Sequence, residues 1–289
     1  MRAAALDQYD AVAEAAASVV IRRYSTSFGV ASRLLAPSQR RHIQNIYAVV
    51  RVADEIVDGV SAAAGLGEAD IRTRLDGYEE EVERALATGF STDLVVHAFA
   101  GSARRTGFGT DLTRPFFSSM RADITRSEHT PESFAEYVYG SAEVVGLMCL
   151  AAFLEEDPRP DRERLVRGAR ALGAAFQKVN FLRDLGTDFE TLGRSYFPGV
   201  APDSFGEATK ARLLDDLDAD LAAAASIVPR LPRGSRVAVG VAHDLFAELS
   251  KRLRATPADR LITTRVSVPN PVKARIVAAR LAQRGRETR

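Results

Sequence analysis

The sequence predicts an all-α protein built as one helical bundle. Apolar residues recur at helical spacing in about ten stretches, and no long alternation typical of a half-buried strand occurs. The connections between these stretches are short, and no internal repeat divides the chain. Hydrophobic residues make up 46% of the 289 residues and charged residues 27%, which suits a sizeable core beneath a polar surface. We therefore expect a single domain over residues 1–289.

Local signals mark where the helices begin and end. An alanine-rich first helix ends at the hydroxyl cluster Tyr24-Ser25-Thr26-Ser27-Phe28, because Ser and Thr compete for backbone hydrogen bonds. Pro37 suits a first helical turn, and Thr130 followed by Pro131 is typical of an N-cap and first position. The predicted helices cover 3–24, 37 to about 59, 71–87, 93–106, 116–129, 134–154, a stretch from 172, 207–227, 236–253 and 266–282, before a charged, frayed tail at 284–289.

One predicted helix contains residues that normally weaken a helix. Gly140, Ser141, Ala142 and Gly146 interrupt its apolar run. Small residues at such positions mark close packing against a neighbour or space left for another molecule. We therefore expect this helix beside a tight interface or a cavity.

Charge and cysteine content exclude several classes of protein. A net charge of +1 gives no general attraction to nucleic acid, so no nucleic-acid partner is expected. The single cysteine, Cys149, excludes an internal disulfide, and its apolar neighbours predict a buried, inert thiol in a reducing cytoplasm. Asp7, Asp10 and Glu14 interrupt the N-terminal alanines, which a secretory signal would not tolerate. Because no stretch reaches about 18 uncharged apolar residues, no membrane-spanning helix is predicted.

A stripe of polar side chains interrupts the apolar helix that starts at residue 172. Gln177, Asn180, Asp184 and Asp188 follow at i, i+3, i+7 and i+11, which places them on one face, with Arg183 beside them. Burying an ionised carboxylate without a partner costs several kcal/mol, so a cation should lie opposite. A divalent metal is the natural candidate.

A second stripe of the same kind lies upstream. Tyr47, Arg51, Asp54 and Asp58 follow at i, i+4, i+7 and i+11 on another apolar helix. Magnesium is usually held by one or two carboxylates together with substrate phosphates, so two aspartate pairs indicate a Mg²⁺–diphosphate site better than an all-protein metal cage. The arginines would bind the remaining phosphate oxygens in bidentate fashion.

Pairs of acidic residues one helical turn apart also arise by chance among 38 acidic residues. Glu79/Glu83 and Asp216/Asp220 are such pairs, and they lie in charge-dense segments typical of solvated helix faces. A bare D-x-x-x-D pattern would favour that interpretation for the stripes too. The additional polar residues of each stripe, and the presence of two stripes, favour a functional site.

Together these motifs resemble those of the squalene/phytoene synthases, the head-to-head branch of the isoprenyl diphosphate synthases. Tyr47-x-x-x-Arg51-x-x-Asp54-x-x-x-Asp58 is similar to their first aspartate motif. Gln177-x-x-Asn180-x-x-Arg183-Asp184-x-x-x-Asp188, followed by Gly193-Arg194-x-Tyr196-x-Pro198, is similar to their second. The resemblance spans residues 24–273 and implies a bundle of the isoprenoid synthase type around a central apolar cavity.

The resemblance also implies roles for individual residues. The implied catalytic residues are Tyr47, Arg51, Asp54, Asp58, Asp184 and Asp188. The implied metal ligands are Asp54, Asp58, Asn180, Asp184 and Asp188, binding Mg²⁺ or alternatively Mn²⁺. The implied substrate-binding residues are Tyr24, Ser25, Thr26, Ser27, Tyr47, Arg51, Gln177, Asn180, Arg183, Arg265 and Lys273. Two positions depart from the family pattern: Glu143 replaces a common glycine and should turn outward or meet an arginine, and Phe246 replaces a common tyrosine.

The sequence around Gly140 looks most like bacterial phytoene synthases. This implies condensation of two geranylgeranyl diphosphates to phytoene through a cyclopropylcarbinyl diphosphate, without NADPH. Farnesyl diphosphate as substrate, giving dehydrosqualene or squalene, is the main alternative. A one-substrate terpene cyclase or a chain-elongating synthase is a weaker alternative, and elongating enzymes usually carry D-D-x-x-D, whereas here Glu55 follows Asp54. A catalytically silent scaffold is weaker still, since all four aspartates are present. A cytoplasmic protein with peripheral membrane contact would suit such long hydrocarbon tails.

Overall fold

The computed structural model describes residues 2–25, 27–155, 161–191, 195–201 and 204–287, apart from the side chains of residues 2, 3, 27, 28, 187–191 and 284–287. Regular structure within these ranges is helical, with one isolated bridge between Glu128 and Ser195, so the all-α prediction is confirmed. The side chains of the tail predicted to fray, 284–289, lie outside the described part.

The bounds of the helices follow in chain order. They are α1 (Arg2–Tyr24), α2 (Ser27–Ser32), α3 (Pro37–Val57), α4 (Val60–Ala63), α5 (Glu68–Thr88), α6 (Leu94–Thr106), α7 (Thr110–Thr125), α8 (Pro131–Val138), α9 (Val144–Leu154), α10 (Arg162–Thr191), α11 (Glu207–Ala225), α12 (Arg233–Ala255), α13 (Ala258–Leu261) and α14 (Asn270–Glu287). A π-helical turn (Tyr139–Glu143), called the π-turn below, joins α8 to α9, and a 3-10 turn (Val228–Arg230) precedes α12.

The predicted helix signals act as expected. Pro37 occupies the first turn of α3. The Thr130 side chain accepts a hydrogen bond from the Ser133 backbone N–H, and the Ser133 hydroxyl accepts one from the Thr130 N–H, so α8 begins with a reciprocal cap. Helix α3 ends at Val57 rather than near Gly59, whose φ of 113° a residue with a Cβ would rarely adopt.

Two large apolar clusters form the core. One joins α10, α11 and α12, and the other joins α3, α6, α7 and α9. The π-turn lies between α7 and α10 and contacts both. The motif-bearing helices α3 and α10 therefore lie on different sides of the segment that runs from α8 to α9.

Close packing at the small residues of this segment is confirmed. A Cβ on Gly146 would lie 2.5 Å from the Ala169 carbonyl oxygen, and a Cβ on Gly173 would lie 2.5 Å from the Ala142 carbonyl oxygen. Only glycine fits at both positions, so the backbones of α9 and α10 approach each other directly.

The segment from α8 to α9 also departs from a prediction. Residues Pro131–Leu154 are long and apolar enough to cross a membrane by length and composition alone, since an 18-residue window within them has a mean hydropathy of 1.6. The prediction from sequence required an uncharged apolar run, and it did not count this stretch as membrane-spanning because acidic side chains interrupt it. Of its most apolar window, 56% is buried inside the protein, as in a helix that packs in a core.

Candidate active site

A cavity of about 720 Å³ lies between α3, α9, α10 and α12, within the size range of ligand sites. Along α3, its lining runs from Ile43 to Asp54. At a helical rise of 1.5 Å per residue, these two positions lie about 16 Å apart along the helix axis. Along α10, the lining runs from Ala169 to Asp184. The apolar residues come first on both helices and the charged residues last, so the cavity has an apolar end and a charged end.

Three carboxylates form the first acidic cluster at the charged end. Asp54 is half-buried on α3, Asp58 is exposed just beyond the end of that helix, and Asp123 is buried on α7. Burial raises the pKa of Asp54 well above its ordinary value, and the nearby charges of Asp58 and Asp123 raise it further. The Arg51 guanidinium opposes this shift without cancelling it.

Side chains of the first motif contact the hydroxyl cluster that ends α1. The Arg51 guanidinium lies over the Tyr24 ring at 4.6 Å and also binds Glu55 one turn along α3. Tyr47 is hydrogen-bonded to the Ser25 side chain, but burial outweighs this bond and raises the pKa of Tyr47. Tyr24, Ser25, Tyr47 and Arg51 all line the cavity, and their role in binding substrate stays a prediction.

Asp184, the carboxylate of the second motif whose side chain is described, forms the second cluster together with Arg183 and Arg265, which balance its charge. Arg265 Nε donates to Asp184 Oδ1 at 2.7 Å, and Arg183 Nε donates to the same oxygen at 3.0 Å. Burial by itself would raise the pKa of Asp184, but the hydrogen bonds and charges of these two guanidinium groups outweigh it and hold the pKa below its ordinary value. Gln177 and Asn180 line the cavity on the same helix.

Some predicted site residues cannot be compared with the cavity. Thr26, Gly193 and Arg194 lie outside the described residues, as do the side chains of Ser27 and Asp188. Lys273 is described and half-buried in the first turn of α14, but it does not belong to the cavity lining. Its role in binding diphosphate therefore stays a prediction.

A group of side chains connects the two clusters: Tyr196 belongs to the second motif, whereas Tyr137 and Asp123 were assigned no site role from the sequence. The Tyr137 hydroxyl donates to Asp123 Oδ2 at 2.9 Å, and the Tyr196 hydroxyl lies 3.5 Å from Asp123 Oδ1. The Tyr196 ring stacks on Phe181 of α10 at 4.0 Å between centroids. Burial raises the pKa of Tyr137 well above its ordinary value, and the Asp123 charge adds to this, so its phenol stays protonated. The sequence signals that could have indicated this group were Asp123, in the predicted helix at 116–129, and the Tyr-x-Tyr spacing of Tyr137 and Tyr139.

The donor set fits a magnesium ion shared with a substrate. Within the described residues, no group of three or more His, Cys, Asp or Glu side chains could hold a metal ion alone. The pKa of Asp54, however, is raised by burial and by the charges of Asp58 and Asp123. A divalent cation would relieve the repulsion between these carboxylates. Carboxylates combined with substrate phosphates are the ligands that Mg²⁺ commonly takes. Asp54, Asp58, Asn180 and Asp184 are the described candidates to hold it.

The two departures from the family pattern are resolved in different ways. Glu143 binds Arg170 at 2.5 Å, which confirms the expectation that it meets an arginine. Phe246 lines the cavity and stacks on Phe176 at 3.7 Å between centroids. Cys149, predicted to be buried, is half-buried and lines the cavity. Burial raises the pKa of its thiol to about 12, and its inertness stays a prediction.

Comparison with known proteins agrees with this geometry. The squalene/phytoene synthase family profile matches residues 21–271. The chain belongs to the squalene/phytoene synthase family. Its members are prenyltransferases that bind isoprenyl diphosphates and join them head to head.

Individual relatives and solved structures resemble the chain to different extents. A 15-cis-phytoene synthase of Paracoccus sp. is 29% identical over 81% of this chain and 80% of its own length. Phytoene synthase 3 of Zea mays is 34% identical over 62% of this chain, but the match spans only 41% of the maize protein. A dehydrosqualene synthase structure superposes with a TM-score of 0.75 at 22% identity, covering 96% of this chain and 98% of its own. A squalene synthase from Alicyclobacillus acidocaldarius gives 0.72 at 22% identity, covering 84% and 93%. These structural matches show the fold alone.

Proposed function

We propose that the protein condenses two geranylgeranyl diphosphates head to head to phytoene, with Mg²⁺, through a cyclopropylcarbinyl diphosphate. The observation that carries the proposal is one cavity whose charged end is lined by Asp54 and Asp58 of the first motif and Asp184 of the second, and whose other end is apolar. Ring closure would release one diphosphate and one proton. Ionisation of the intermediate, rearrangement and loss of a second proton would then release the second diphosphate, so no reductant is needed.

The charged end is suited to bind the leaving diphosphate. Arg51, Arg183 and Arg265 offer planar guanidinium groups to phosphate oxygens. Bound Mg²⁺ would neutralise charge that develops on the departing diphosphate. Ser25 and Tyr47, hydrogen-bonded to each other beside Arg51, present hydroxyl groups at the same end of the cavity.

The apolar end is suited to hold the hydrocarbon and to keep water away from an allylic cation. Ile43, Leu150 and Leu231 line it, each from a different segment of the chain. Phe176 lies between the two ends along the sequence of α10, and its ring stacks on that of Phe246 of α12. These rings offer π faces to passing positive charge. Tyr137 presents a protonated phenol held by Asp123, so it positions a polar group without adding charge of its own.

The choice of a C20 rather than a C15 substrate is supported by the curated relatives. The Paracoccus and maize relatives bear the name phytoene synthase. The structural relatives bear the names dehydrosqualene synthase and squalene synthase, but they resemble this chain in fold only. Farnesyl diphosphate is therefore the alternative substrate, and the two are separated by product mass.

We further propose a cytoplasmic protein that contacts a membrane peripherally to release its product. Tyr24, Val30 and Val60 are exposed apolar or aromatic residues in segments next to those that form the charged end. Vesicle flotation would test this proposal: recovery in the lipid fraction is expected, and complete exclusion from lipid would contradict it.

The reaction is tested by incubation with geranylgeranyl or farnesyl diphosphate, with Mg²⁺ or EDTA, and with or without NADPH. Mass analysis of the hydrocarbon extract should show phytoene from geranylgeranyl diphosphate with Mg²⁺, unaffected by NADPH. A product from farnesyl diphosphate alone would favour the dehydrosqualene or squalene alternative. A cyclised product from one substrate molecule, or no product from either substrate, would overturn head-to-head condensation.

A further inference from the structure

The outer face of the π-turn carries a contact that the proposed reaction does not use. Arg170 of α10 donates from Nε to Glu143 Oε2 at 2.5 Å, and its guanidinium carbon lies 5.2 Å from the centre of the Tyr139 ring. Tyr139 and Glu143 are the first and last residues of the π-turn. One side chain of α10 therefore holds both ends of the turn.

The π-turn itself is wedged between two helices. A π-helical turn is a rare backbone form, here closed by a hydrogen bond from the Val144 N–H to the Tyr139 carbonyl. On the α7 side, a Cβ on Gly140 would lie 2.2 Å from the Pro115 carbonyl oxygen. On the α10 side, a Cβ on Gly173 would meet the Ala142 carbonyl oxygen at 2.5 Å. The turn has little room to move without changing the position of its inner face.

The inner face of the turn belongs to the cavity. Ser141 and Ala142 line it, and Tyr137, two residues before the turn, donates its hydroxyl to Asp123. Glu143 and Arg170 are described residues outside the cavity lining. The contact on the outside therefore acts on the cavity wall only through the backbone of the turn.

We propose that Arg170, acting through Glu143 and Tyr139, is a positioning residue that sets the width of the cavity at the π-turn. It fixes the wall formed by Ser141 and Ala142 where the hydrocarbon tail would pass. The inference rests on the proposed function for its kinetic consequence, but the rigidity of the turn can be measured without any substrate.

Exposure of the pair separates positioning from general stabilisation. The Arg170 side chain is 48% exposed and that of Glu143 is 16% exposed. Ion pairs exposed to this extent contribute little to the stability of a protein. Loss of Arg170 should therefore leave the melting temperature nearly unchanged, while it loosens the turn. A displacement of about 1 Å at a site that orients substrate can lower activity strongly.

The test compares Arg170→Ala, Arg170→Lys, Glu143→Ala and the double Ala variant with the wild-type protein. Arg114→Ala is the matched control, because it breaks a bond from Arg114 Nε to Glu83 at 2.7 Å between exposed side chains of α7 and α5. Three quantities are measured: hydrogen exchange of the amides at 141–145, KM and kcat for geranylgeranyl diphosphate, and calorimetric binding of inorganic diphosphate with Mg²⁺.

Arg170→Ala should speed amide exchange in the turn about threefold, since local opening is limited by the contacts that hold a segment and a partly exposed ion pair is a weak contact. It should also raise KM about fivefold with unchanged affinity for inorganic diphosphate. Arg170→Lys should restore part of the effect because it keeps the charge but not the planar group over Tyr139. The double variant should be no worse than Arg170→Ala, because the two residues act as a pair.

Wild-type exchange and KM in Arg170→Ala would overturn the inference, as would equal changes in Arg114→Ala. Weakened binding of inorganic diphosphate would also overturn it, because the effect would then lie at the charged end. If wild-type protein converts neither prenyl diphosphate, the proposed function fails, and the exchange data alone decide whether Arg170 holds the turn.

Discussion

The two acidic clusters border the same cavity, but their charges are compensated differently. Asp54 lies near two further carboxylates, and its pKa is raised by burial and by their charges. Asp184 is also partly buried, yet two arginines hold its pKa below the ordinary value. Both aspartates come from D-x-x-x-D patterns on apolar helices. The D-x-x-x-D spacing alone therefore does not determine the electrostatics. The motif residues Asp58 and Arg183 act together with Asp123 and Arg265, which come from distant segments, to set the two pKa values.

This difference implies that the two clusters have different binding roles at the charged end of the cavity. The first cluster has excess negative charge and gains most from a cation. The second carries guanidinium groups that match phosphate oxygens in geometry and charge. We expect metal affinity to depend more on the first cluster and affinity for metal-free diphosphate to depend more on the second.

The largest expected effect comes from removing a motif carboxylate. Asp54→Asn and Asp184→Asn should each lower turnover about 10³-fold, because each removes charge stabilisation needed for diphosphate departure. Product formation by mass analysis, with circular dichroism to show that the fold is retained, measures this. Asp216→Asn is the matched control, since Asp216 belongs to a D-x-x-x-D pair bound to Lys178 on the other face of α10. Near-wild-type turnover in Asp54→Asn would remove the metal assignment.

The next effect separates the two clusters. Arg265→Ala should weaken binding of metal-free inorganic diphosphate about 10- to 100-fold, because it removes a charge-assisted hydrogen-bond donor. It should also raise the pKa of Asp184, which loses one of its two guanidinium partners. Calorimetry measures the binding. Arg260→Ala, in α13 on the same stretch of chain, serves as the control. Equal weakening in both variants would indicate a general charge effect rather than a second-cluster role.

A smaller effect tests the third carboxylate of the first cluster. Asp123→Asn should raise the Mg²⁺ concentration needed for half-maximal turnover severalfold, because it removes one negative charge near Asp54. The amide oxygen can still accept the Tyr137 hydrogen bond, so the phenol should stay in place. Tyr137→Phe, which keeps the charge and removes the bond, should leave the Mg²⁺ requirement unchanged. Magnesium titrations of steady-state turnover compare the two, and the opposite ranking would place Asp123 outside the metal's environment.

The smallest effect concerns Asp244, a carboxylate outside the cavity lining whose charge is balanced by neighbouring cationic side chains. Burial would raise the pKa of Asp244, but hydrogen bonds from His243 and Arg280 lower it from 3.8 to about 2. The stability this provides is fully present above pH 4 and is lost as the pH falls toward 2. Arg280→Met should cost at most about 2 kcal/mol of unfolding free energy at neutral pH, with a shrinking difference in acid.

Urea unfolding between pH 2 and pH 7 measures this difference, with turnover expected to remain unchanged. Arg275→Met, on an exposed face of the same helix, is the control. A stability difference that stays constant with pH would show that Arg280 acts through packing over Gly240 rather than through Asp244, since its guanidinium also lies close to that glycine.

Local sequence was sufficient to predict much of the fold and both stripes. Helical periodicity located α3 and α10, and the same spacing placed Tyr47, Arg51 and Asp54 on one face. The close approach at Gly146 followed from small residues in an apolar helix. These features depend on neighbours along the chain, which is why a single sequence shows them.

Contacts between distant segments could not be predicted in this way. Asp123 and Tyr196 are 73 residues apart, and neither lies in a periodic pattern that points to the other. The π-turn could not be recognised from helical periodicity either. It adds about one residue to a single turn, and the spacing of apolar residues in ordinary helices varies by at least that much. The predicted helix at 266–282 placed Lys273 on a helix and Arg265 before it, but it could not show that Arg265 binds Asp184, 81 residues away, while Lys273 lies outside the cavity lining.

The central claim is that both aspartate clusters bind one diphosphate-bearing molecule whose tail occupies the apolar end. A crystal structure with Mg²⁺ and a non-reactive thiolo analogue of geranylgeranyl diphosphate tests it directly. We predict diphosphate and metal between Asp54 and Asp184, with the tail running along α3 toward Ile43. Diphosphate bound away from these aspartates, or a tail outside the cavity, would contradict the account.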